Sequence, residues 1–168
     1  MGYTTEFMGE FSVEPALKPE HRVYLSKFGD TRRMKRNAKK AEKIADPIRE
    51  AACLPVGPEG SFFVGAKGWA GQDSDDSIVD YNSPPIGQPG LWCQWMPNED
   101  GTVIAWDGSE KFYNYVDWLE FLIENFLDPW GYVLNGDVEW QGEDREDMGK
   151  IVVKDNEVST KTARITFE

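Results

Sequence analysis

The chain reads as an α+β protein: an antiparallel sheet with two main helices on one face, ferredoxin-like (a split βαβ), with an added C-terminal hairpin and a long Gly/Pro-rich insertion. Three observations lead there. Along "TTEFMGEFSV", Phe7, Gly9, Phe11 and Val13 alternate with Glu6, Met8 and Glu10, the two-residue repeat of a half-buried strand. Phe112, Tyr115, Val116, Leu119, Leu122, Ile123 and Phe126 form an apolar stripe at helical spacing, opposite Asp117, Glu120, Glu124 and Asp128. The runs "YVLNGDVEWQGE", "GKIVVKD" and "EVSTKTARITF" then predict an antiparallel meander, with turns around Glu143–Asp147 and at Asp155-Asn156.

The remaining elements fill the order. "LKPEHRVYLSKFGD" predicts a helix with Pro19 and Glu20 in its first turn, Val23, Tyr24 and Phe28 at helical spacing, and an end at Gly29. "TRRMKRNAKKAEKIADP" sets Met34, Ala38, Ala41, Ile44 and Ala45 on one side and predicts a thin amphipathic helix stopped by Asp46-Pro47. Leu54 to Gly90 is Gly- and Pro-rich, with "SFFVGA" as its strand candidate. Its aromatics Phe62, Phe63, Trp69 and Tyr81 favour a loop packed on the body over a free linker. "LWCQWM" and "TVIAW" predict a hairpin closed by "PNEDG", and Asp107 with Glu110 resembles the capping box of the long helix that Pro129 ends.

A chain of 168 residues with seven Trp, nine Phe and six Tyr is expected to form a single domain, 1–168, with 54–90 as its insertion loop. The sequence shows neither an apolar run of the roughly 18 residues a membrane span needs nor a basic-then-apolar leader. Glu6 stands where the myristoylation motif needs Ser or Thr. Two thiols, Cys53 and Cys93, without metal or redox spacing point to a reducing, cytoplasmic setting. Charge is uneven: residues 1–50 hold 11 Lys/Arg against 8 Asp/Glu, a net of +3, and residues 51–168 hold 7 against 22, a net of −15. Such a field repels nucleic acid and attracts basic proteins.

Chemistry-bearing motifs are sparse. "GDVEWQGEDREDMGKIVV" puts Asp137 and Glu139 on one strand face, with Val138 and Trp140 on the other, and crowds Glu143, Asp144, Glu146 and Asp147 into a turn. It lacks the calcium-loop spacing and reads as a solvated face; hydrolysis on this turn stays open as a third reading. "DSDDS" at Asp73–Ser77 reads as a wet loop tip. Any triad must use His21, the one histidine, and neither a nucleophile elbow nor a phosphate loop follows a strand. No catalytic set, metal site or cofactor is assigned. The basic run "RRMKRNAKK" reads as a strap on the acidic half of its own chain or as a phosphate holder, with Arg32 and Arg33 as fork-shaped anchors. Arg32, Arg33, Arg36, Tyr81, Asn82, Gln88, Trp92 and Gln94 are the candidate ligand-binding residues, a mixture suited to a pocket under the 54–90 loop.

The blocks "MGYTTEF", "TRRMKR", "YNSPPIGQPGLWCQW" and "WDGSEKFY" resemble a family of short intracellular proteins from bacteria and their phages, one without a settled activity. The resemblance spans most of the chain. It implies a cytoplasmic accessory protein and brings no catalytic residues. The expectation is therefore a non-enzymatic acidic binding protein, an inhibitor or adaptor. Its face of Asp117, Glu120, Glu124, Asp137, Glu139, Glu143 and Asp144 would engage a basic, nucleic-acid-handling protein. The alternative is a small-molecule or nucleotide binder. Direct nucleic-acid binding and membrane association are not expected, and oligomeric state is left open.

Overall fold

Residues 2–69 and 71–168 are described by the computed structural model. In chain order they form β1 (Thr5–Glu14), α1 (Pro19–Gly29), β2 (Lys35–Arg36), α2 (Ala38–Ala41), α3 (Pro47–Ala51), β3 (Ile78–Asp80) and β4 (Trp95–Pro97). There follow β5 (Val103–Trp106), α4 (Tyr115–Leu122), β6 (Val133–Gly142), β7 (Met148–Lys154) and β8 (Glu157–Thr162). The chain is α+β, and its contacts divide it into two compact units, Lys18–Cys93 and the remainder, Met1–Leu17 with Gln94–Glu168.

The unit built from both ends of the chain contains a six-stranded antiparallel sheet in the order β4-β5-β1-β6-β7-β8. β1 and β6 pair over ten positions, setting Phe7 opposite Trp140 and Val13 opposite Leu134. Alternation then decides the two faces: Phe7, Phe11, Val13, Leu134, Val138, Trp140 and Ile151 are buried, and Glu6, Met8, Glu10, Asp137 and Glu139 are exposed. The inner face is aromatic. Phe7 meets Trp95, Trp106, Phe112 and Tyr115 edge-on, with centroids 4.9–5.7 Å apart. Each such pair contributes about 0.5–1.5 kcal/mol beyond area burial.

α4 lies on this face, its first residue Tyr115 stacked near Trp140 at 5.9 Å and its carbonyl accepting from Trp95 Nε1 at 2.8 Å. Its buried residues come as doublets, Trp118-Leu119, Leu122-Ile123 and Phe126-Leu127. Doublets every four residues outrun a 3.6-residue repeat, and the chain widens into π-type winding over Ile123–Leu127, with Asp128 N–H donating to the Ile123 carbonyl at 2.9 Å. The helix begins later than its sequence suggests. Gly108, Lys111 and Asn114 all hold positive φ, so 107–114 is a loop, and Asp107 accepts from Ser109 N–H at 2.8 Å in a local turn instead of capping a helix.

The unit Lys18–Cys93 starts with α1, which opens at Pro19 and buries Tyr24, Leu25 and Phe28. The helix expected over 31–47 does not form. Residues 33–37 are laced in extended form to the following loop: Arg33, Lys35 and Asn37 N–H donate to the carbonyls of Leu91, Ser83 and Ser77 at 2.7–2.8 Å. Donors at every second residue are a strand's habit, and a stripe built mostly of alanine buries too little to resist it. Helix is confined to α2, where the Asn37 side chain accepts from Lys40 N–H at 3.1 Å. "SFFVGA" is likewise no strand. Ser61–Ala66 turns tightly around buried Phe63 and Val64, held by the Asp46 carboxylate, which accepts from Gly65 N–H at 2.7 Å. Ala41, Val56 and Phe63 form a local core, with Ala38 and Ile44 packed against it.

Candidate functional site

The seven carboxylates expected to share one face stand in two places. Asp117, Glu120 and Glu124 are exposed on the side of α4 and its π turn that points away from the sheet. Asp137 and Glu139 project from the opposite face of the sheet, and Glu143 and Asp144 lie in the β6–β7 turn. Sequence periodicity separates inside from outside on each element. It does not say that the helix covers one sheet face and leaves the other to water.

The uncovered face has the sharper arrangement. The register sets Glu10 directly opposite Asp137 and Met8 opposite Glu139, with Glu6 one step along. Two like charges facing across neighbouring strands destabilise a sheet. Beside this pair, Gly9 and Gly136 hold φ of 111° and 141°, and a Cβ on either would stand 2.6–2.7 Å from the backbone carbonyl of Asp137 or Glu10. Both glycines are thus required by the backbone beside the point where the two carboxylates meet. Among the described residues of this unit, the one ion pair is Lys150 Nζ to Asp137 at 3.7 Å, with both side chains roughly half exposed. The unit carries 6 Lys/Arg against 20 Asp/Glu, a net of −14, while Lys18–Cys93 carries 12 against 10, a net of +2. An open groove of about 350 Å³ runs along this face past Met8, Glu139, Met148, Lys150 and Lys161. Glu6 and Glu10 are members of this surface that the charge count alone overlooked. Their alternation with Phe7 and Phe11 already marked them as outward, but their pairing with β6 needed the register.

The acidic turn is tied down. Tyr3 Oη donates to Asp147 at 2.7 Å and accepts from Asp144 N–H at 3.0 Å, Trp140 Nε1 donates to the other Asp147 oxygen at 3.0 Å, and Glu143 accepts from Thr4 N–H at 2.7 Å. These contacts fasten the start of β1 to the β6–β7 connection.

Six of the eight candidate ligand residues lie in the Lys18–Cys93 unit with their polar groups engaged by that unit itself, Arg32 with Tyr81 and Asn82, Arg33 with Gln88 and Ser61, and Arg36 with Asp75 and Ser77. Arg32 stacks on Tyr81 at 4.1 Å and donates to the Tyr81 carbonyl at 3.0 Å and Asn82 Oδ1 at 3.2 Å. Arg33, buried over Phe28, donates to the Ser61 carbonyl at 2.8 Å and to Gln88 Oε1 at 3.4 Å. Arg36, over Phe63, forms an ion pair with Asp75 at 2.9 Å and donates to Ser77 Oγ at 2.8 Å. A loop with little regular structure leaves its carbonyls without ladder partners, and guanidinium groups, with five donors each, supply them. The "DSDDS" stretch is therefore more than a wet tip, since Asp75 and Ser77 anchor Arg36. Burial lowers the Arg33 pKa to about 10, which leaves it a cation at neutral pH. Its Nη1 and the Ser61 hydroxyl find no hydrogen-bond partner within the described protein.

Gln94 belongs to the other unit, where it bridges Trp106 Nε1 (3.0 Å) and the Glu110 carbonyl (2.9 Å) and so shapes the 107–114 loop. Trp92 is half-buried, and His21 stands half-buried in the first turn of α1. Among the described residues no three His, Cys, Asp or Glu gather in a way that could hold a metal ion, and no helix is long and apolar enough to cross a membrane. Compared with family models, curated proteins and solved structures, the chain matches none.

Proposed function

We propose that the chain is a non-enzymatic acidic binding protein. It engages a basic partner through the outer sheet face around Glu6, Glu10, Asp137 and Glu139, as an inhibitor or adaptor of a protein that itself handles nucleic acid. One observation carries this reading: Glu10 opposes Asp137 on the two central strands, both exposed, and among the described residues their one ion-pair partner is the half-exposed Lys150, at 3.7 Å from Asp137. A cationic partner would relieve that repulsion, so the face gains more from a basic surface than isolated carboxylates would. The resemblance to short bacterial and phage proteins supports a cytoplasmic setting. We also read the sheet as ferredoxin-like. The order β6-β1-β5-β4, antiparallel throughout, supports this, with β7 and β8 added beyond β6 and Lys18–Cys93 filling the connection from β1 to β4.

The test is affinity capture from bacterial lysate with the wild type and with Glu6→Lys/Glu10→Lys/Asp137→Lys/Glu139→Lys, checked for folding by circular dichroism. The wild type should retain proteins of high isoelectric point, release them with salt, and lose them in the variant. Capture that is indifferent to both changes refutes the reading. A second reading, small-anion binding in the Lys18–Cys93 unit, is favoured by the two partnerless polar atoms at Arg33 and Ser61. It predicts that phosphate or nucleotides raise the melting temperature of the wild type and not of Ser61→Ala.

A further inference from the structure

The two edges of the sheet differ. β4 is three residues long and ends on Pro97, so it offers another strand little to pair with. β8 runs six residues, "EVSTKT", without proline, glycine or bulge, and all but Val158 are exposed. Its phase follows from the turn before it. Asp155 and Asn156 both hold positive φ (48° and 69°) and form a two-residue connection, so the flanking pair Lys154 and Glu157 exchange main-chain hydrogen bonds. Glu157, Ser159 and Lys161 therefore turn their N–H and C=O groups toward β7, a phase that Ala163 continues by donating to the Met148 carbonyl at 3.0 Å. Val158, Thr160 and Thr162 aim theirs at the open side. Lys161 stands opposite Lys150, and Lys150 opposite Glu139, so Glu157, Ser159 and Lys161 share the outer face of the sheet.

We propose that β8 pairs with β8 of a second copy of this chain, antiparallel about a two-fold axis at Ser159, joining two sheets edge to edge. In that register Glu157 faces Lys161 of the second copy, Lys161 faces its Glu157, and Val158 and Thr160 exchange main-chain hydrogen bonds. Charge favours this register, the one that sets Glu157 against Lys161, whereas centring on Glu157 or on Lys161 would set like charges against each other. A lysine on an edge strand ordinarily guards against association. Here a carboxylate four residues away on the same face, with Ser159 midway, neutralises that guard for one partner alone, an identical strand. The proposal stands apart from the acidic-face reading, since it is judged by mass and the other by capture.

The experiment is sedimentation velocity on the full chain. The wild type sediments as a concentration-dependent dimer. Glu157→Lys and Lys161→Glu each weaken it by about ten-fold or more, because each turns two attractive contacts into repulsive ones. Mixing these two variants restores a dimer, since each supplies the charge the other lacks. Thr160→Pro, which deletes an outward N–H, gives a monomer with an unchanged circular dichroism spectrum. A wild type that is monomeric at its highest soluble concentration, or mixed variants that fail to associate, overturns the proposal.

Discussion

Asp46 is the residue whose loss should most damage the Lys18–Cys93 unit. Its side chain is fully buried, it accepts from Arg49 Nε at 2.6 Å, and it holds the Gly65 N–H at 2.7 Å. Asp46→Ala leaves a guanidinium that is 10% exposed without its counter-ion and a buried amide without an acceptor. Removing one member of a buried pair destabilises by about 3–5 kcal/mol, and an orphaned amide alone accounts for roughly 1–3 of the same total. Against the roughly 5–15 kcal/mol that holds a domain together, this is a large fraction. Urea unfolding followed by far-ultraviolet circular dichroism reads the loss, and hydrogen exchange at the Gly65 amide reads where it falls. Asp46→Ala/Arg49→Leu should recover part of it, because no charge is then stranded. If Asp46→Ala costs less than about 1 kcal/mol and Gly65 stays protected, the account of this turn is wrong.

Gly149→Ala should destabilise by about 1–3 kcal/mol, since a methyl there would overlap the Trp140 ring and the Lys161 carbonyl; thermal unfolding checks it. Tyr24→Phe removes a buried donor to the Phe62 carbonyl at 2.7 Å and should cost about 1–2 kcal/mol by the same assay. Burial pushes the Asp75 carboxyl up, but bonds from Ser77 and Arg36 more than offset it, and its pKa lies below the ordinary carboxylate range. The unfolded chain therefore binds the extra proton first as pH falls. The stabilisation is whole above about pH 4–5, the range of an ordinary carboxylate, and disappears as pH drops through the lowered folded value. Asp75→Asn should accordingly be less stable than wild type at neutral pH and converge on it in acid, as denaturant titrations at stepped pH would show. Tyr115, desolvated among aromatic rings, is pushed up to about 12, so ultraviolet titration of Tyr115→Phe should lack one late-ionising phenol.

What could be read from residues alone was whatever depends on local repetition. The alternation along Thr5–Glu14 and Val133–Gly142, the opening of α1 at Pro19 and the turn at Asp155-Asn156 stand in the structure where those patterns put them. What could not be read depends on partners far along the chain. "TRRMKR" looks like a free basic run because its acceptors, Ser61, Asp75, Tyr81 and Gln88, lie 28 to 55 positions away. The loop before α4 is only partly marked in its residues, since Gly108 signals a turn but left-handed Lys111 and Asn114 carry no glycine. The opposition of Glu10 and Asp137 is a property of register, which neither strand contains by itself.

The sheet is assembled from two segments, Met1–Leu17 and Gln94–Glu168, with Lys18–Cys93 between them in sequence. During synthesis, β1 leaves the ribosome long before its longest partner: Gly9 pairs with Val138, 129 residues later. At about 5–20 residues per second, that delay is on the order of ten seconds, and β1's other neighbour, β5, which sets Ile104 opposite Phe11, is also made only after the whole Lys18–Cys93 segment. The Lys18–Cys93 unit has all its residues early and can condense first, whereas the sheet must close a long excursion in sequence and should be the slow step of folding.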